Sequence, residues 1–132
     1  MAAQEQEKTI LIVDDDDDLA SALARMLQAE GYGVLRAADG AEGVSMASEH
    51  APDLILLDYM MPVKNGFDAC RELRNLPGLD EVPILALTAY GQNIGETYGL
   101  GGSDAESHVN GFIEKPYEPN VLLERVASAL RS

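Results

Sequence analysis

Three stretches of the chain, TILIV at Thr9–Val13, LILL at Leu54–Leu57 and PILAL at Pro83–Leu87, are almost unbroken aliphatic runs bounded by polar or turn-forming residues. A strand with one wet face alternates polar and apolar residues. A short run without alternation is what a strand buried on both faces of a parallel sheet needs. Two shorter runs, Gly33–Ala37 and Gly111–Glu114, complete a set of five.

Helical patterns lie between these strands. After Asp14–Asp18, apolar residues recur at helical spacing at Leu19, Leu23, Met26 and Leu27 until Gly31, with acidic residues at the start where the helix dipole favours them. Asp39 and Glu42 are spaced as a capping box ahead of a weaker helix running to about Ser48. Beyond the turn residues Pro62, Asn65 and Gly66, a helix is expected from Phe67 to Arg74, stopping before Pro77-Gly78. Pro119 suits the first turn of a last helix with Leu122, Val126, Ala129 and Leu130 on one face. Strands alternating with helices over short loops predict an α/β, doubly wound sandwich around a parallel sheet. The segment from Tyr90 to Asn110 breaks the pattern. Gly91, Gly95, Gly99, Gly101 and Gly102 lie where a fourth helix belongs, and each costs about 1 kcal/mol against alanine in a helix interior. That helix is expected to be shortened or irregular.

At 132 residues, 46% of them hydrophobic, the chain carries enough apolar material for one core and too little length for two. Residues 1–8 read as a tail and 9–132 as a single domain. The net charge of −14 repels phosphate backbones and anionic membranes, so direct nucleic-acid binding is not expected. No run reaches the ~18 apolar residues of a membrane span, and the N-terminus lacks the apolar core of a signal peptide. The lone cysteine, Cys70, has no internal disulfide partner and reads as a buried hydrophobe, which points to the reducing cytoplasm.

The chemistry lies in where polar residues fall. Asp14 and Asp15, Asp58, Thr88 and Lys115 each sit at or just past the carboxyl end of a different apolar strand. In open α/β sheets those ends form the ligand crevice, so five residues distant in sequence converge. Three carboxylates in a partly buried crevice raise one another's pKa unless a cation compensates. All-oxygen ligands with no paired His or Cys favour Mg²⁺, which takes one or two protein carboxylates and keeps room for water and a phosphate oxygen. With the ion held by the Asp14–Asp15 pair, Asp58 on the central strand is the best nucleophile toward phosphorus, giving an acyl phosphate. Lys115 and the Thr88 hydroxyl would neutralise the phosphoryl oxygens alongside the ion.

The motifs LIVDD at Leu11–Asp15, LILLDYMMPVKNG at Leu54–Gly66, LTAY at Leu87–Tyr90 and FIEKP at Phe112–Pro116 resemble the receiver domains of two-component response regulators over nearly the whole chain. The resemblance implies a flavodoxin-like (βα)5 fold with strand order 2-1-3-4-5, like the chemotaxis regulators. It implies Asp58 as phosphoacceptor, Asp15 as a direct Mg²⁺ ligand, Asp14 acting mostly through water, and the Met60 backbone carbonyl as a further ligand. Thr88 becomes the switch hydroxyl, Phe112 the aromatic ring that turns inward with it, and Lys115 the phosphate-contacting cation before a cis Pro116. The implied partners are a sensor histidine kinase or histidine phosphotransfer protein upstream and a protein effector downstream, with room for a weak homodimer through the last strand and helix. Met60 and Tyr90 stand where the family tunes the lifetime of the phosphoryl group.

The implied role is a signalling switch that catalyses only its own phosphorylation and dephosphorylation. With no effector domain after the last helix, output by protein contact is expected, or the chain is the receiver piece of a longer regulator or hybrid kinase. The rival class is a Mg²⁺-dependent phosphohydrolase with an aspartyl nucleophile. Such enzymes need a second Asp two residues after the first, where this chain has Met60. A dinucleotide-binding domain is excluded because no G-x-G-x-x-G follows the first strand. Asp16–Asp18 read as a helix N-terminus rather than as ligands. His50 and His108 lack a second ligand at metal spacing and are given no role.

Overall fold

The structure, a computed structural model, describes residues 8–58, 66–88, 109–115 and 117–131. Five strands, β1 (Thr9–Val13), β2 (Gly33–Ala37), β3 (Leu54–Asp58), β4 (Ile84–Thr88) and β5 (Gly111–Glu114), form one sheet in the order β2-β1-β3-β4-β5. Every neighbouring pair is parallel. Four helices are described: α1 (Asp17–Ala29), α2 (Gly40–His50), α3 (Gly66–Arg74) and α4 (Pro119–Arg131). The doubly wound expectation and the implied strand order are both met.

The aliphatic runs are explained by burial on both faces. Leu11, Val13, Ile55, Leu57, Ile84 and Ala86 pack with Ala47 of α2 and with Ala69, Cys70 and Leu73 of α3. The alternate residues Ile10, Ile12, Leu54, Leu56, Leu85 and Leu87 pack on the other face with Leu23 and Leu27 of α1 and Leu122 and Val126 of α4. At ~25 cal/mol per Å² of apolar area removed from water, this two-sided burial is the main force that fixes the sheet.

Local signals set the helix ends. The Asp16 side chain accepts from the Leu19 N–H at 3.0 Å and caps α1, and Gly31 beyond its other end takes φ +96°, a conformation that favours glycine. Asp39 caps α2 by accepting from the Glu42 N–H at 2.8 Å. The return contact of this box comes from one residue earlier than the motif implies, with Ala38 N–H donating to the Glu42 carboxylate. At α4, Glu118 accepts from the Val121 N–H, and Pro119 opens the helix as expected.

Boundaries differ slightly from the sequence reading. β4 starts at Ile84, one residue after Pro83, and ends at Thr88 as expected, the Thr88 carbonyl accepting from the Lys115 N–H at 2.7 Å. α2 continues past Ser48 to His50, which is exposed in its last turn. The expected irregular helix between Tyr90 and Asn110, His108, Met60, the turn residues Pro62 and Asn65, and the cis Pro116 bond lie outside the described residues.

Candidate functional site

The strand order reverses between β1 and β3: the chain runs from β1 outward to β2, then crosses back to β3 on the other side of β1. A crevice opens at the carboxyl ends of the strands at such a point. Asp14 and Asp15 follow β1, Asp58 ends β3, Thr88 ends β4 and Lys115 follows β5. One carboxylate oxygen from each of Asp14, Asp15 and Asp58 lies within 4.8 Å of the others. Lys115 Nζ stands 3.4 Å from Asp58 Oδ2 and 3.8 Å from Asp14 Oδ2. The expected convergence is therefore present for the three carboxylates and the lysine.

Burial divides the acidic group. Asp14 and Asp58 are almost wholly enclosed, at 1% and 4% exposure, whereas Asp15 is open to solvent. Asp14 Oδ1 accepts from the Asp16 N–H at 3.0 Å, and Asp14 Oδ2 is buried without a hydrogen-bond donor. Burial pushes the Asp14 carboxyl up to about 6; the Asp16 N–H and the Lys115 charge pull it down, and the neighbouring Asp58 carboxylate pushes it up. The Tyr117 hydroxyl is raised too, first by burial and then by the Asp14 charge. A buried carboxylate oxygen lacking a donor, beside two further carboxylates, suits a hard divalent cation with oxygen ligands.

Thr88 is fully buried. Its rung in the sheet lies one beyond the Asp58–Leu87 pair. Phe112 is the β5 register partner of Ala86 and packs with the α2–α3 face of the sheet. Because side chains alternate along a strand, Thr88, two residues past Ala86, projects to that same face. The ring and the hydroxyl are thus neighbours on one face, one step apart along the strands.

Two residues that the sequence reading gave no role stand out. Arg36, near the end of β2, donates from Nη2 to the Asp14 carbonyl at 2.8 Å and from Nη1 to Asp17 Oδ1 at 2.7 Å. Arg74 at the end of α3 donates to the Leu79 and Val82 carbonyls and to the Asn110 side chain, tying the loop before β4 to the residue before β5. An arginine at a strand or helix end reads by default as surface charge, and nothing local in the sequence marks either partner set.

Residues 10–127 match the family described as the response regulator receiver domain. The chain is 41% identical over 122 residues to the DNA-binding response regulator MtrA of Mycobacterium tuberculosis H37Rv, covering 92% of this chain and 50% of that protein. It thus spans about half the length of the MtrA relatives it matches. Among solved structures, the receiver domain of the sensor histidine kinase PA1611 from Pseudomonas aeruginosa PAO1, with a magnesium ion coordinated in its active site cleft, superposes with a TM-score of 0.83 at 29% identity. That match covers 96% of this chain and 100% of the other. The chemotaxis protein CheY4 of Vibrio cholerae gives a TM-score of 0.79 at 29% identity, covering 94% and 99%.

Proposed function

The chain belongs to the response regulator receiver family, whose members are the phosphoacceptors of two-component signalling, and on that premise we propose that Asp58 is the residue that takes the phosphoryl group. The observation that carries the assignment is the meeting of three carboxylate oxygens within 4.8 Å, with Lys115 Nζ 3.4 Å from Asp58, at the strand ends. Residues 9–132 constitute the receiver domain in this reading, behind a short tail. It acts as a cytoplasmic signalling switch.

Asp14, Asp15, Asp58 and the Met60 backbone carbonyl would hold Mg²⁺, as the PA1611 receiver holds a magnesium ion in its cleft. Bound there, the ion neutralises charge on the phosphoryl oxygens. The chain's own residues do the rest. Asp58, enclosed at the end of β3, presents a carboxylate oxygen that attacks the phosphorus of a phosphohistidine on a sensor kinase or phosphotransfer protein. The new O–P bond forms as the P–N bond breaks, and the electron pair returns to the imidazole nitrogen, which takes up a proton. Lys115, which pairs with Asp58 beforehand, turns its charge to the incoming oxygens. The Thr88 hydroxyl then binds a phosphoryl oxygen, and Phe112, one step along the same face, follows it inward. The product is a population shift toward an active surface rather than a new fold.

Output passes to a protein partner. In the longer-regulator reading, which the half-length match to MtrA supports, it passes to a DNA-binding part carried by the same protein. Self-association through the last strand and helix would be weak.

Incubation with acetyl phosphate followed by intact-mass spectrometry tests the assignment. The native chain is expected to gain a single phosphoryl adduct that requires Mg²⁺ and disappears in Asp58→Ala. Lys115→Ala should slow its formation about 100-fold, the usual cost of removing one charge-stabilising donor. An adduct that persists in Asp58→Ala would move the acceptor elsewhere.

A further inference from the structure

We propose that Arg36 is a positioning residue for the metal site, setting the orientation of the peptide that joins Asp14 to Asp15. The proposal rests on the reading that these two residues hold Mg²⁺. Asp14 is tethered at every group but one: its N–H donates to the Ala37 carbonyl at 3.0 Å, its carbonyl accepts from Arg36 Nη2 at 2.8 Å, and its Oδ1 accepts from the Asp16 N–H at 3.0 Å. Only Oδ2 is left to face the crevice, buried and without a donor. The Asp14 carbonyl belongs to the peptide unit that leads into Asp15, and that unit is planar. Fixing the carbonyl oxygen therefore fixes the direction in which the chain enters Asp15, the one exposed member of the carboxylate group.

The guanidinium suits this task because its planar fork reaches two acceptors at once. Arg36 sits on the edge strand β2, opposite Ile12 of β1, so the register delivers it beside the turn that follows β1. One arm holds the Asp14 carbonyl and the other holds Asp17 at the first position of α1. The contact with Asp17, whose side chain is 84% exposed, contributes little by itself. The part-buried contact to the carbonyl is the one that orders the turn. A cation at a helix N-terminus also opposes the helix dipole, so a generic charge role does not account for the placement.

Electrostatics and positioning predict opposite signs. Removing a positive charge near three carboxylates should tighten the binding of a cation, while loosening the turn should weaken it. In the full chain, Mg²⁺ titrated calorimetrically into Arg36→Met is expected to bind about 10-fold more weakly than into the native protein, the usual loss when a group that orients a metal ligand is removed. Metal-free thermal unfolding of the same samples verifies that the variant is folded. Arg36→Lys keeps the charge and is the milder change, but one ammonium cannot grip both acceptors, so its affinity should fall between the two. Mg²⁺ affinity equal to or tighter than native in either folded variant overturns the role of Arg36. Failure of the native chain itself to bind Mg²⁺ overturns the metal reading, and this proposal with it.

Discussion

Asp14 couples the site to stability. Its carboxyl is raised to about 6 in the folded chain, chiefly by burial, from an ordinary 3.8. An acid raised on folding favours the native state fully below its unfolded pKa and withdraws that support as pH climbs to the folded value. From about pH 4 to 6 the metal-free protein should therefore lose up to about 3 kcal/mol through this one group, with no further change above. Asp14→Asn, neutral throughout, is expected to be the more stable chain at pH 7.5 in EDTA, with the gap closing toward pH 4. Urea unfolding across that range measures it, and a gap independent of pH would contradict the argument. The clustering of Asp14, Asp15 and Asp58 was legible in the sequence because each stands at the end of an apolar strand. Arg36 was not, since its partners depend on the β1–β2 register and lie 19 and 22 residues away along the chain.

Among the elements, two small residues, one inside α2 and one just past its end, are expected to respond in opposite directions. Gly43 faces β1 so closely that an added Cβ would lie 2.9 Å from Val13 Cγ2. Alanine would gain about 1 kcal/mol of helix propensity there, but the buried, β-branched Val13 cannot move aside, and overpacking costs about 1–3 kcal/mol. Gly43→Ala should lower the denaturation midpoint. Ala51, just after the helix, takes φ +48° where glycine has no Cβ penalty. Ala51→Gly should raise the midpoint by an amount equivalent to roughly 1 kcal/mol. The five strands were readable because burial on both faces leaves an aliphatic run that no helix or wet strand needs. The fourth run ended at Thr88 as read and only its start moved, from Pro83 to Ile84, because proline has no N–H to give to the ladder. Ala51 carried no signal at all, since alanine reads as helix-forming until its backbone is seen.

At the scale of the molecule, the switch point between β1 and β3 brings Asp14, Asp15 and Asp58 together, and the two apolar layers hold the sheet that carries them. The net charge of −14 makes this chain a poor ligand for a phosphate backbone. Duplex DNA at ~0.15 M salt should show no retardation by the 132-residue chain, phosphorylated or not. Retardation by this chain alone would contradict the separation of receiver from output. The proposed phosphoacceptor is the one carboxylate at the end of β3, Asp58. Treating the phosphorylated chain with borohydride reduces an aspartyl phosphate to homoserine and leaves a permanent mark at the acceptor. Peptide sequencing by tandem mass spectrometry is predicted to find homoserine at position 58 and only after phosphorylation with Mg²⁺; homoserine at position 14 or 15, or none in a chain shown to carry the phosphoryl group, would contradict the account.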